Sequence, residues 1–188
     1  MQRLKLWFNN KDNLYSIVFI LLFVFICLIY QYHKILFLRP QGIHLWRQTI
    51  GLSYALNYYQ HGMNFFMPEV HQLVADKGTT GYVAAEFPLL YFFNAALWKI
   101  FGVHEFIPRL VNVLLVFFGF FSVFKIVYKQ TDAFWGILLP LFFFTSPVVA
   151  FYSISFLPDS AAFGLALMGF FCFNNFFKSQ KYKWLYMF

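Results

Sequence analysis

From Leu14 to Tyr32 the chain runs 19 residues without one charged side chain. As a helix, such a run reaches about 28 Å, close to the ~30 Å hydrocarbon core of a bilayer. Three more apolar runs follow, at 107–128, 133–153 and 160–177. Composition excludes the alternative of a soluble domain. The chain is 61% hydrophobic and 11% charged, and it holds 30 Phe in 188 residues. A soluble domain carries roughly 25% charged residues, and no soluble core of this size buries that much aromatic surface. The expected fold is an all-α integral membrane protein with about four transmembrane helices in a single membrane domain, 1–188.

The formal net charge of +7 does not point to nucleic acid here. Lysine and arginine gather beside the cytoplasmic ends of membrane helices. Arg3, Lys5 and Lys11 precede an apolar run too long for a signal-peptide core, and no small-residue cleavage site follows it. An uncleaved first span with a cytoplasmic N-terminus, in the cell (plasma or inner) membrane, is the expectation. Cys27 and Cys172 both fall inside apolar runs and read as small buried hydrophobes, not as a disulfide framework.

Phe87 to Phe101 decides the topology. Its 15 residues give about 22 Å of helix, short of the bilayer core. If it does not cross, the lysines after the second span (Lys125, Lys129) and those after the last (Lys178, Lys181, Lys183) fall on the cytoplasmic side. If it crosses, both groups face out. The positive-inside rule favours a re-entrant or juxtamembrane helix at 87–101. The stretch 33–106 is then an extracytoplasmic loop, with a surface helix expected near Thr49–Tyr59 and a turn at Asp76–Gly81.

That loop is the polar island of the chain. His44 to Pro88 holds Glu69, Asp76, Glu86, His44, His61, His71 and Arg47. The crossing count places Glu86 and Asp159 on one face. Glu86 precedes Pro88 at the head of the short helix. It reads either as a base or a metal or sugar ligand, or as an acid favoured by a helix N-terminus. Asp159 stands at the mouth of an apolar span, where an ionisable group is a functional-site hypothesis, with helix capping as the plain alternative. Arg47 suits phosphate or carboxylate, or a lipid headgroup. His61, His71 and His104 lack metal-ligand spacing and read as surface residues. No P-loop, GxGxxG, GxSxG or HExxH is present. No cofactor is indicated with certainty, and a divalent metal is left open.

The order of features resembles a known pattern. Glu86-Phe87-Pro88 opens a helix ending in Trp98-Lys99-Ile100-Phe101-Gly102, then come His104-Glu105-Phe106, Arg109-Leu110-Val111-Asn112, Thr145-Ser146-Pro147 and Leu157-Pro158-Asp159-Ser160. This is similar to the N-terminal half of GT-C glycosyltransferases of the protein O-mannosyltransferase and aminoarabinose transferase type, family 39, over about Ile43 to Phe177. The resemblance implies an inverting transferase that takes a sugar from a polyprenyl-phosphate donor and passes it to a lipid or protein acceptor at the outer membrane face. The residues that fit such chemistry here are Glu86 and Asp159 as catalytic candidates, and Arg47, Gln48 and Arg109 as substrate-binding ones. Membrane lipids and a missing C-terminal half are the other expected partners. One departure matters. Counting back from Gly62 to the position where the family carries an acidic pair lands on Arg47 and Gln48. Three readings compete: Glu86 or Asp159 takes the acid–base role; His44, one turn before Arg47 if helical, replaces it; or the protein is a non-catalytic lipid-binding or assembly subunit.

Overall fold

The computed structural model describes residues 11–73, 78, 80–83 and 85–187. Arg3, Lys5 and Asp76 lie outside them. Among the described residues helix is the only regular secondary structure, with one isolated bridge between Glu69 and Tyr82. In order the helices are α1 (Lys11–Ile29), α2 (Tyr32–Ile35), α3 (Leu45–His61), α4 (Leu89–Phe101), α5 (Phe106–Gln130), α6 (Ala133–Phe144), α7 (Pro147–Ser153), α8 (Pro158–Ser179) and α9 (Lys183–Tyr186).

α1, α5 and α8 are long and apolar enough to cross a membrane, and α6 with α7 makes a fourth candidate. The protein is an all-α membrane protein. Its surface carries the large side chains that lipid requires: Leu21, Phe25, Phe142 and Phe177 are all exposed.

The expected single span at 133–153 is two helices meeting at 75°. The cause is local. A residue before proline is pushed out of helical geometry, and Ser146, before Pro147, has ψ 128°. The same rule sets the start of α8, where Leu157, before Pro158, has ψ 144°. Pro147 and Pro158 then occupy first-turn positions, where a missing N–H costs nothing. Asp159 therefore follows Pro158 inside the first turn of α8 and is not the cap residue. Similarly, Pro88 sits just outside α4, one position before the expected place. α3 extends beyond the expected 49–59 at both ends.

Two aromatic cores hold the helices. Phe19 and Phe23 of α1 stack on Phe124 of α5 and Phe144 of α6, with centroids 4.9 and 4.4 Å apart. The second core joins α3 and α4 to the head of α5 through Tyr54, Tyr58, Tyr91, Trp98 and Ile107. α5 and α8 touch backbone to backbone. A Cβ on Gly119 would lie 2.8 Å from Gly164 Cα. Small residues permit such close approach between membrane helices.

The link between α7 and α8 is fastened to the first turns of α5. Buried Asn112 donates to the Ser155 and Leu157 carbonyls, both at 2.8 Å. Both helices thus begin at one end of the molecule, beside α3 and α4. At the far end of α5, Lys125 donates to Ser16 of α1 and Tyr128 donates to Asp12, each at 2.6 Å. Lys11 and Lys129 flank these contacts in sequence.

Candidate functional site

Arg47 is placed in the first turn of α3, Glu86 just before α4 and Asp159 in the first turn of α8. Their side chains meet. Arg47 Nε donates to Glu86 Oε1 at 2.5 Å. Its two terminal nitrogens face the two Asp159 oxygens, at 3.0 and 3.3 Å. One guanidinium thus bridges two carboxylates, using its fork on one of them. The residues are 39 and 112 positions apart from Arg47 in sequence. The hydrogen bond from Arg47 to Glu86, with the charges of both acids, raises the guanidinium further above its ordinary value, against partial burial.

The two acids are not equivalent. Glu86 Oε2 also accepts a hydrogen bond from the Tyr91 hydroxyl, so each of its oxygens is engaged. The Glu86 side chain is 21% exposed, whereas that of Asp159 is 49% exposed. Tyr91 reaches Glu86 by lying over the backbone of α3 at Gly51. A Cβ there would come within 2.8 Å of the Tyr91 ring, which explains glycine in mid-helix despite its helix penalty. Tyr91 also stacks on Tyr54 at 5.3 Å.

Burial, then the bond and charge of Glu86, holds the Tyr91 hydroxyl well above its ordinary range. A raised folded-state value makes Tyr91's contribution to stability complete below the unfolded value of about 10 and lost as pH climbs beyond it. Unfolding followed in detergent from pH 8 upward should show a smaller alkaline loss in Tyr91→Phe than in wild type. Some loss should remain, because burial pushes Tyr58 up to about 12 as well.

The ion cluster forms the rim of an apolar cavity of about 600 Å³, walled by Phe87, Leu90, Phe93, Leu115, Ala162 and Leu165. Arg47 and Asp159 also border a second space of about 310 Å³, between α7 and α8, lined by Val148, Val149 and Phe163. Charge at a rim and hydrocarbon behind it suits an amphiphile.

The remaining candidates lie elsewhere. His44 is not one helical turn from Arg47. α3 begins after it, and His44 sits at the junction in left-handed geometry, φ 59°. Its exposed ring lies beside Tyr152. Gln48 points about 100° around the helix from Arg47. It is buried and donates to the Gln41 and Ile43 carbonyls at 3.2 and 2.9 Å. Arg109 is buried and donates to the carbonyls of Ile154, Leu38 and Arg39. Gln48 and Arg109 share the wall of a different cavity of about 300 Å³. His61 lies 3.2 Å from Glu69, and His71 is bonded to Ser53. Among the described residues no group of three or more His, Cys, Asp or Glu is placed to hold a metal. Cys27 and Cys172 are free thiols.

Sequence reasoning missed Tyr91. It stands five residues after Glu86, on the first turn of the helix that Glu86 precedes. A hydroxyl one turn past a helix-head carboxylate was the available signal. No protein-family model, no curated protein and no solved structure matches the chain. The chemistry therefore rests on this geometry.

Proposed function

We propose that the Arg47–Glu86–Asp159 cluster is the reaction centre of a membrane glycosyltransferase that uses a polyprenyl-phosphate sugar. The observation that carries this is the meeting of one cation and two acids, from three separate segments, on the rim of an apolar cavity. The cavity offers the prenyl chain hydrocarbon contact, and the rim meets its phosphate and sugar. In this reading the acceptor hydroxyl attacks the anomeric carbon and gives its proton to Asp159, the freer carboxylate. The bond to the phosphate oxygen breaks, and the phosphate leaves with that electron pair. Arg47 swings its fork from Asp159 to the leaving phosphate. Glu86, clamped by Tyr91, keeps Arg47 Nε in place and acts as a positioning residue.

The end of α5 that carries Lys125 and Lys129 is opposite this cluster. By the positive-inside rule that end is cytoplasmic, along with the N-terminus. The reaction centre then faces the outer side of the plasma or inner membrane.

Transfer of labelled sugar from a polyprenyl-phosphate donor tests the reading in the full-length protein. Asp159→Asn should cut turnover by about 100-fold or more, the scale of a lost general base. Glu86→Gln, which still accepts from Arg47, should cost about 10-fold. Unchanged transfer in both variants removes the cluster from the mechanism.

A second reading is a non-catalytic amphiphile-binding subunit. It is favoured by the saturation of the Arg47 fork, which leaves the cluster with one net negative charge. Saturable binding of the donor lipid by wild type, with no transfer to any acceptor, would select it.

A further inference from the structure

Arg109 presents the opposite electrostatic problem. It is 3% exposed, yet all its partners are neutral. Nη1 donates to Ile154 O at 2.6 Å, and Nη2 to Leu38 O and Arg39 O at 3.2 Å each. Nε is buried and has no partner. Among the described residues no carboxylate lies within ion-pair distance of Arg109. The charge of Glu105 acts on it through space, without a bond, and the Glu105 carboxylate is turned to Arg39, at 3.8 Å. The flat guanidinium face rests on the Phe156 ring, 4.1 Å from its centroid.

Three carbonyls and a ring solvate the cation partly, but they do not neutralise it. A buried charge with no bonded counter-charge is among the costliest features a fold can hold. This cost is reduced if an anion enters from outside. The space for it exists. Arg109 lies in the wall of the cavity of about 300 Å³ that it shares with Tyr30, Tyr32, Gln48 and Phe151. The surrounding charge has the matching sign. Arg39 lies beside Glu105, which leaves Arg39, Arg109 and Glu105 with a net positive charge.

We infer that this cavity is an anion site for a phosphate-bearing headgroup of net negative charge, separate from the Arg47 centre. The two lie on different faces of α7. Pro147, Ala150, Phe151 and Ile154 line the Arg109 cavity, whereas Val148, Val149 and Tyr152 line the space beside Asp159. Polarity also divides them. The Arg47 cluster is saturated and net negative, so it repels an added anion unless Arg47 swings free. The Arg109 site is net positive. Tyr32 donates to the Ala150 carbonyl and Tyr30 to the Thr145 carbonyl, which holds the far wall in place. The cavity lies beside α2 and the start of α7, and exposed Phe151 in its wall puts apolar surface next to it. A phosphate on a lipid is therefore the favoured source, with free phosphate as the other supplier of the same chemistry.

This inference does not depend on sugar transfer, and the experiment keeps the two apart. The full chain is placed in nanodiscs of phosphatidylcholine alone, and in nanodiscs with one-fifth phosphatidylglycerol. Lipid retained after extraction into mild detergent is then counted by native mass spectrometry. Wild type should retain phosphatidylglycerol over phosphatidylcholine by about 10-fold, the scale of one charge-assisted bond. A third arm adds inorganic phosphate to the phosphatidylcholine sample. Protection from thermal unfolding there, equal to that from phosphatidylglycerol, would assign the site to soluble phosphate. Arg109→Met should abolish the preference. Because that change also frees three carbonyls, Ile35→Trp serves as the second variant, filling the cavity from its half-buried edge while keeping the arginine. It should lose the preference while Asp159→Asn keeps it. Equal retention of both lipids by wild type, with no effect of phosphate, overturns the inference, as does a preference that survives Ile35→Trp and Arg109→Met.

Discussion

Replacing Gly164 with alanine should destabilise the protein by about 2–3 kcal/mol, although alanine is the better helix former by about 1 kcal/mol. A Cβ at Gly164 would stand 2.4 Å from the Leu115 carbonyl oxygen and 2.7 Å from its carbon. Both are backbone atoms of α5 and cannot turn aside as a side chain would. The helices must separate, and every contact along their shared face loosens with them. Valine, which adds two methyl groups, should cost more. Gly119→Ala should cost less, because its Cβ would meet the other helix at 2.8 Å. The control is Leu165→Ala, at the next residue, which is exposed and should stay within about 0.5 kcal/mol of wild type. Unfolding by heat or strong detergent in micelles measures all four. Asp159 lies five residues before Gly164 on the same helix, so displacement of α8 should also pull its carboxylate away from the Arg47 fork. Loss of the Arg47–Asp159 coupling alongside the stability loss would tie the glycine contact to the site. Equal melting of Gly164→Ala and Leu165→Ala would mean that the helices are not held this closely.

That contact shows where the sequence stops being informative. Length and hydropathy locate α1, α5 and α8, because a spanning helix is specified by its own residues. They do not say which helices touch. Gly119 and Gly164 sit 45 residues apart in apolar runs, and only in three dimensions do they become one surface. The break at Ser146 was written in the sequence as Thr145-Ser146-Pro147, but hydropathy averages over it, and an apolar run on both sides conceals a bend. The meeting of Glu86 with Asp159 was partly legible. The crossing count puts both on one face, without fixing a distance. Arg47 between them follows from charge, since two acids at the edge of apolar surface need a cation. Gln48 and Arg109 were legible as unusual residues but not in their setting. Each spends its donors on backbone carbonyls of irregular segments, and those partners carry no side-chain signature. His44 failed for a local reason: a one-turn argument holds only inside a helix, and α3 starts one residue too late.

Removing the cation from the Arg47–Glu86–Asp159 cluster should cost nearly as much as Gly164→Ala. Arg47→Met keeps most of the apolar stem and deletes the charge. It leaves Glu86 and Asp159 facing each other without the guanidinium that separates them. Losing one partner of a buried ion pair costs about 3–5 kcal/mol, and an exposed pair costs up to about 1. The Arg47 and Asp159 side chains are 39% and 49% exposed, so about 2 kcal/mol is the expected loss. Part of it is repulsion between unpaired acids, and that part can be removed. Arg47→Met with Asp159→Asn should recover about half of the loss, because one of the two acids becomes neutral. Asp159→Asn alone should cost less than Arg47→Met alone, since Glu86 still holds Nε. Arg47→Lys should fall between, because a single ammonium cannot reproduce a fork that serves Glu86 through Nε and Asp159 through both terminal nitrogens. Unfolding of the four variants in one detergent, at low and high salt, reads these terms, and the repulsive part should shrink as salt rises. If the cluster binds a polyprenyl phosphate as proposed, that binding should fall further than stability does in Arg47→Met, since the phosphate loses its cation as well. If the double variant is no more stable than Arg47→Met, the two acids do not feel each other and the bridge is not a single electrostatic unit. Donor binding that survives Arg47→Met would separate the cavity from the cluster and leave the apolar walls as the whole basis of recognition.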